Sequence, residues 1–149
     1  MMGKLATACL EAGGHVTGVI PRFMMTKEVG KIDIQDLRLV ESMHERKALM
    51  AELADGFMAL PGGFGTLEEF CEILTWSQLG LHIKPLGILN VAGFYDHFLA
   101  FLDHAVACGL IKAKHRELLL TAEQPESLLE LMRAWKSPIT QKWMTPERT

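Results

Sequence analysis

The apolar positions of the chain form short continuous runs that alternate with longer amphipathic segments. Short runs of this kind, bounded by turn residues, are typical of buried strands. The runs are HVTGVI from His15, LRLVE from Leu37, GFMAL from Gly56, PLGILNV from Pro85 and ELLLT from Glu117. Because buried strands that alternate with helices form parallel sheets covered on both faces, the pattern predicts a doubly wound α/β fold.

Amphipathic segments between these runs predict the helices. They are Lys4 to Ala12, Met43 to Ala54, Leu67 to Leu79, Phe94 to Cys108 and Pro125 to Trp135. Residues 22 to 36 show no clear period, so we expect a loop there. A chain of 149 residues with 49% hydrophobic content can bury one sizeable core. We therefore expect a single domain over residues 1–136 and a polar tail over residues 137–149.

Charge and cysteine content narrow the classes of function. The net charge is -3, and lysines and arginines are scattered, so nothing favours nucleic acid or an anionic membrane as a partner. The start lacks the layout of a secretory signal and no apolar run is long enough to span a bilayer, which predicts a cytoplasmic protein. Cys9, Cys71 and Cys108 are far apart, as expected for reduced thiols rather than disulfides or a zinc site.

The stretch LPGGFGTLEEF, Leu60 to Phe70, follows one of the predicted strands directly. A glycine-rich turn between a strand and a helix lets backbone N–H groups approach a phosphate, and the helix start adds partial positive charge. The spacing matches neither a Walker A loop nor the dinucleotide motif GxGxxG. A phosphate site and a plain tight turn are therefore both open.

The acidic residues that end this stretch have two interpretations. Thr66 and Glu69 have the S/T-x-x-E spacing of a capping box, in which Glu69 would only satisfy a backbone donor, and spacing alone favours this structural role. Carboxylates beside a phosphate would, however, repel it. A ligand with ribose hydroxyls, or with a positive charge that develops as a glycosidic bond breaks, would instead benefit from them.

A second informative stretch is ESMHERKALM, Glu41 to Met50, which also follows a predicted strand. Ser42 and Glu45 have capping-box spacing, and Arg46 with Lys47 can be the solvated face of a helix. Near the carboxyl edge of a parallel sheet, the basic pair can alternatively bind phosphate or a departing base, for which the planar guanidinium of Arg46 is well suited.

Together, MHERK (Met43 to Lys47) and PGGFGTLEE (Pro61 to Glu69) resemble the paired signature of the LONELY GUY (LOG) family, written PGGxGTxxE for its second part. The likeness extends more loosely from Gly3 to about Trp135. It implies a Rossmann-like homodimer that hydrolyses a nucleoside 5'-monophosphate, such as a cytokinin riboside 5'-monophosphate or AMP, to free base and ribose 5-phosphate.

The resemblance also implies functional residues. Arg46 and Glu69 correspond to the catalytic pair. The implied substrate-binding residues are Glu28, Arg46, Lys47, Gly62, Gly63, Phe64, Gly65, Thr66, Leu67, Glu68, Glu69 and Thr75. The implied mechanism uses no metal and no cofactor: Glu69 stabilises the ribose as positive charge develops, Arg46 orients the nucleotide, and loop amides hold the phosphate.

Two alternative functions are compared with the phosphoribohydrolase activity. Family members have often been labelled lysine decarboxylases, but that reaction needs pyridoxal phosphate on a lysine, and nothing in the sequence favours that cofactor. Related Rossmann-like proteins bind a phosphorylated ligand without hydrolysing it, so a nucleotide or cofactor carrier is the alternative. The presence of both Arg46 and Glu69 favours catalysis, because a carrier has less use for the carboxylate.

The chain departs from the family pattern at its start. Family members begin with a strand and a glycine-rich loop that ends in a sequence like GLMG, whereas this chain opens with MMGKLA, which is similar only to the end of that loop. We therefore expect a fold that lacks the usual first strand and glycine loop and leaves backbone groups of neighbouring strands unpaired. A fragment, a start codon placed too late and a true loss of part of the site are all open.

Overall fold

The computed structural model describes residues 2–25, 34 and 36–138. The chain divides into two compact units, Met1–Ala54 and Asp55–Thr149. That residues 1–136 form one domain stays a prediction. Most of the predicted tail, residues 139–149, lies outside the described residues, as does most of the predicted loop over residues 22–36.

The first unit contains a parallel pair of strands and a helix that lies against both of them. Its elements in chain order are α1 (Met2–Glu11), β1 (Thr17–Pro21), a 3-10 turn (Arg22–Met24), β2 (Asp36–Val40) and α2 (Met43–Leu53). The first helix ends where the sequence predicts it, because Gly13 takes a φ of +77° and its N–H donates to the Leu10 carbonyl. The strand pair buries its carboxyl ends, at Ile20, Pro21 and Val40.

The second unit contains three parallel strands with β4 in the middle, in the order β3-β4-β5. Its elements in chain order are β3 (Phe57–Ala59), α3 (Phe64–Gln78), β4 (Leu86–Leu89), a 3-10 turn (Val91–Gly93), α4 (Asp96–Ala107), α5 (Ala113–Arg116), β5 (Leu119–Ala122) and α6 (Pro125–Ala134). Each strand is followed by a helix or a helical turn, as the alternating pattern predicts.

The core of the second unit is built around β4. All four residues of β4 are buried, and the side chains of Leu86 and Ile88 are fully so, as expected for a strand covered on both faces. Gly87 allows α6 to approach closely, since a Cβ there would come within 2.7 Å of the Leu128 side chain. Leu128 is itself fully buried. The predicted α/β class, with parallel strands flanked by helices, is confirmed.

Among the described residues, no helix is long and apolar enough to cross a membrane.

Candidate functional site

The glycine-rich stretch forms the turn between β3 and α3, as predicted, but the helix begins earlier than expected. Gly63 is the N-cap residue, and the first intrahelical hydrogen bond runs from the Leu67 N–H to the Gly63 carbonyl at 3.1 Å. No side chain caps this end. The N–H groups of Phe64, Gly65 and Thr66 therefore have no intrahelical acceptor, and they carry the positive end of the helix dipole.

The predicted capping box of Thr66 and Glu69 is wrong. With Gly63 at the N-cap, Thr66 is already the third residue of the helix and Glu69 lies in its second turn. Glu69 is half-buried, and across the part of the chain that the structure describes no hydrogen bond or ion pair engages its carboxylate. Glu69 therefore does not have the capping role that its spacing favours, and its carboxylate is available to a ligand.

The structural requirement for glycine differs among the three glycines of the loop. A Cβ on Gly62 would collide with the Thr66 side chain, so a tight turn explains that position. Gly63 has a φ of -95° and Gly65 lies within the helix, and a Cβ on either would meet nothing within 4 Å. Neither backbone strain nor packing within the chain requires glycine at these two positions. The open space beside them is what an anion needs to reach the backbone amides.

The remaining predicted residues of this helix lie at different depths. Phe64 is 93% exposed at the start of the helix, Leu67 is half-buried and Glu68 is exposed. Thr75 is exposed, and its hydroxyl donates to the Cys71 carbonyl at 2.7 Å. Thr75 lies six positions after Glu69, which is about 9 Å along the helix axis. Its assignment to the substrate site stays a prediction.

The second motif forms a helix start of the opposite kind. Ser42 is the N-cap of α2, and its hydroxyl accepts a hydrogen bond from the Glu45 N–H at 3.1 Å. The Glu45 carboxylate accepts from the N–H of Glu41 at 2.7 Å, whereas a capping box predicts that it accepts from the N–H of Ser42. The first bond of the predicted box is confirmed and the second reaches one residue further back.

Arg46 does not lie on the solvated face of α2. The residue is 7% exposed, its Nε has no hydrogen-bond partner among the described residues, and its Nη1 lies 4.0 Å from the sulfur of Met43. A buried guanidinium with an unsatisfied donor is costly for the fold alone, whereas a bound anion or heteroaromatic ring would satisfy it. Lys47, the next residue, is half-buried.

The predicted site residues thus fall into two groups. The structure gathers Gly62 to Glu69 at one helix end in the second unit, and it places Arg46 and Lys47 in the first two turns of α2 in the first unit. Glu28 lies outside the described residues.

Sequence reasoning missed a buried polar cluster next to the glycine loop. Tyr95 is 2% exposed, and its hydroxyl donates to the Leu60 carbonyl at 2.6 Å. The side chain of Asn90, which is 7% exposed, accepts from the Tyr95 N–H and donates to Asp96. The position of Asn90 in the sequence could have indicated this cluster. Asn90 directly follows β4, and the neighbouring strand β3 leads into the glycine loop.

Comparison with known proteins agrees with the two motifs. A family model described as "possible lysine decarboxylase" matches residues 2–132. "Probable cytokinin riboside 5'-monophosphate phosphoribohydrolase LOGL9" of Oryza sativa subsp. japonica is 54% identical over 129 residues, which are 87% of this chain and 57% of that protein. The chain belongs to the LOG family. The family resemblance stated from the motifs is confirmed.

Two further LOG relatives show the same coverage. "Cytokinin riboside 5'-monophosphate phosphoribohydrolase LOG5" of Arabidopsis thaliana is 47% identical over 91% of this chain and 60% of its own length. The protein named LOG from Oryza sativa subsp. japonica, with the same activity in its name, is 50% identical over 87% of this chain and 53% of its own length. The chain thus spans a little over half the length of these LOG relatives.

Proposed function

We propose that this protein hydrolyses the N-glycosidic bond of a nucleoside 5'-monophosphate, with a cytokinin riboside 5'-monophosphate or AMP as the substrate class. The amides at the start of α3 hold the 5'-phosphate, and the Glu69 carboxylate accepts hydrogen bonds from the ribose hydroxyls. The bond between the anomeric carbon and the base nitrogen breaks, and water adds to that carbon. The products are free base, which carries a proton on the nitrogen, and ribose 5-phosphate.

The observation that carries this proposal is the uncapped amino end of α3 together with a carboxylate in its second turn that no described residue engages. Bare amides suit a phosphate, but they do not explain why Glu69 is half-buried with no partner among those residues. A developing oxocarbenium ion explains both groups, because its positive charge is stabilised by a carboxylate while the phosphate of the same substrate is held by N–H donors.

Arg46 supplies the cation in this mechanism. Its guanidinium is always protonated and planar, so it can donate to a phosphate or to acceptor atoms of the departing base. The burial of Arg46 supports this role, since a bound nucleotide would satisfy the Nε donor that the described part of the chain leaves unsatisfied.

No step of this reaction passes through pyridoxal phosphate. A decarboxylase would need a lysine that forms a Schiff base with that cofactor, whereas the mechanism proposed here uses Arg46 and Glu69 and gives no covalent role to a lysine. The three LOG relatives described above are named as phosphoribohydrolases. A homodimer and a cytoplasmic location stay predictions.

The proposal is tested by incubating the purified protein with AMP and with isopentenyladenosine 5'-monophosphate, without added metal, and measuring free base by chromatography. Glu69→Gln keeps the shape of the side chain and removes its charge, and Arg46→Ala removes the cation. Glu130→Gln, on the exposed surface of α6, is the matched control for a lost carboxylate.

We expect base release that falls by about 100-fold or more in each site variant and is unchanged in Glu130→Gln. The substrate that reacts faster then identifies the preferred base. Full activity in Glu69→Gln would remove the central element of the mechanism. Tight binding of either nucleotide without base release would favour the carrier function instead.

A further inference from the structure

The hydroxyl of Tyr95 joins two backbone groups on either side of Pro61. It donates to the Leu60 carbonyl at 2.6 Å and receives a hydrogen bond from the backbone of Gly62. We call this pair of hydrogen bonds the Tyr95 bridge. Since Pro61 has no N–H, the bridge takes up the donor and acceptor that flank it at the point where the chain leaves β3 for the glycine loop.

Tyr95 is held in place by its own surroundings rather than by the loop. The Asn90 side chain accepts from the Tyr95 N–H at 2.7 Å and donates to Asp96 at 2.7 Å, while the Asn90 N–H donates to the Ala122 carbonyl on β5. The aromatic ring makes an edge contact with Phe94, with centroids 4.9 Å apart. The hydroxyl is therefore linked through Asn90 to β4, the buried middle strand of this unit, and to β5.

The turn that delivers Tyr95 to this position is conformationally unusual. Ala92 has a φ of +51° and Gly93 a φ of +71°, so two consecutive residues adopt left-handed conformations between β4 and α4. An alanine in that region is disfavoured by contact of its Cβ with the following carbonyl oxygen. Such strain persists where the surrounding structure requires it, and it is concentrated at functional sites.

The hydroxyl of a buried tyrosine commonly makes a hydrogen bond, so the presence of such a bond alone does not indicate a function. The informative feature of Tyr95 is which groups its hydroxyl contacts. Both belong to the turn that leads directly into Gly63 and the amides of α3, where a Cβ on Gly63 or Gly65 would meet no described atom within 4 Å. Burial raises the pKa of the Tyr95 hydroxyl, so it remains a donor at neutral pH.

We propose that Tyr95 is a positioning residue for the phosphate-binding loop, acting through the Tyr95 bridge. The bridge anchors the Pro61–Gly62 turn to the core, so that the amides of Phe64, Gly65 and Thr66 are already aimed when substrate arrives. Groups that are preorganised in this way bind without the entropic cost of ordering the loop. The inference rests on the proposed function, because it assigns those amides to the 5'-phosphate.

The decisive variant is Tyr95→Phe, which removes the hydroxyl and keeps the ring in its packing. Thr121→Val is the matched control: it removes a buried hydroxyl of the same unit that has no hydrogen-bond partner in the described part of the chain. Amide hydrogen exchange is followed at Gly62 to Thr66 and, as an internal reference, in α6. KM and kcat for AMP are measured in parallel.

In Tyr95→Phe we expect amide exchange in the loop to rise about three- to tenfold, and KM for AMP to rise by a similar factor, while kcat stays within about twofold. Exchange in α6 and every reading in Thr121→Val should not change. Unchanged loop exchange, an unchanged KM, or an equal rise of exchange in the loop and in α6 would each overturn the inference.

Failure of the proposed function gives a different result. If the unsubstituted protein releases no base, the hydrolase assignment is wrong, but AMP affinity by calorimetry and loop exchange still decide whether Tyr95 positions the loop. Weaker AMP binding together with faster loop exchange in Tyr95→Phe would then support the bridge in a nucleotide-binding protein. Equal affinity in both proteins would overturn it.

Discussion

The starts of α2 and α3 are two helix ends that follow parallel strands and yet are built in opposite ways. Ser42 caps α2 with its hydroxyl, and the Glu45 carboxylate satisfies the backbone one residue before the cap. Gly63 offers α3 no side chain, and no side chain of the described residues caps its first amides. The first end resembles a helix start built for stability, and the second one built for a ligand.

The charged groups of the two ends are also opposite. Arg46 is a buried cation with a free Nε in the first two turns of the capped helix, and Glu69 is a half-buried, unengaged anion in the second turn of the uncapped one. Each is a charge that the chain itself does not neutralise among the described residues. Neither the kind of cap nor the sign of the charge therefore identifies the site. What its groups share is the lack of a partner among the described residues.

The largest expected effect comes from removing the buried cation. Arg46→Met replaces the guanidinium with an apolar side chain of similar length, so we expect base release to fall by about 100-fold or more. Stability should be unchanged or rise by about 1 kcal/mol, because an unsatisfied buried charge is lost. Chemical denaturation measures the second effect, with Arg133→Met on the exposed surface of α6 as the control. A large loss of stability would show that Arg46 serves the fold.

A smaller effect is expected from giving α3 the cap that it lacks. Gly63→Asp places a carboxylate where it can accept from the amides of the first turn, which should raise stability by about 0.5 kcal/mol. The same carboxylate should occupy the phosphate position and repel the phosphate, weakening AMP binding by about tenfold or more. Gly63→Ala is the control, because it adds only a Cβ. It shows how much of the loss comes from steric crowding of the phosphate and how much from a carboxylate that occupies the amide N–H groups. Unchanged AMP binding in Gly63→Asp would place the phosphate elsewhere.

Removing the existing cap should affect stability alone. Ser42→Ala deletes the hydroxyl that accepts from Glu45, so the free energy of unfolding should fall by about 1 kcal/mol. Thr66→Val deletes a hydroxyl at the third position of α3, where it does not cap, and should change stability by no more than about 0.5 kcal/mol. Equal losses in both variants, measured by urea denaturation, would contradict the contrast between the two helix starts.

The smallest effect concerns His82, which bonds to α3 beyond its first two turns. His82 Nδ1 accepts from the Lys84 N–H at 3.2 Å, so in the neutral ring Nε2 donates to the Ile73 carbonyl of α3 at 2.9 Å. Burial lowers the pKa of His82 below its ordinary value of 6.5, and the charge of Lys84 adds to this, while the hydrogen bond to Ile73 opposes it. The unfolded chain therefore takes up the proton at a higher pH than the folded one.

The sign of the pH dependence follows from that difference. Stability from neutral His82 is complete above about pH 6.5 and is lost as the pH falls toward the lowered pKa of the folded state. His82→Gln should flatten part of this decline in urea titrations between about pH 7 and 5. A residual decline is expected, because burial and two neighbouring lysines also lower the pKa of His115. An unaltered slope in His82→Gln would show that this histidine does not contribute.

Local patterns were sufficient to predict the strands and the longer helices, but not α5 or the two 3-10 turns. Apolar runs bounded by turn residues predicted β1 to β5, and glycine or proline marked where several helices end, because strand burial and helix termination depend on neighbouring residues. Boundaries were less predictable. The start of α3 was placed at Thr66 or beyond, whereas Gly63 caps it, since S/T-x-x-E spacing cannot show which residue first adopts helical backbone angles.

The candidate site, like the fold, was predicted from the sequence only in part. The amino-acid sequence by itself determined the α/β class, the two motifs and the family, because periodicity and motif spacing are properties of the chain alone. Only the tertiary structure decided that Arg46 is buried with a free donor, that Glu69 is not part of a cap, and that Tyr95 reaches the glycine loop 35 residues away in sequence. Burial and hydrogen-bond partners depend on segments that are distant along the chain, and folding alone brings them together.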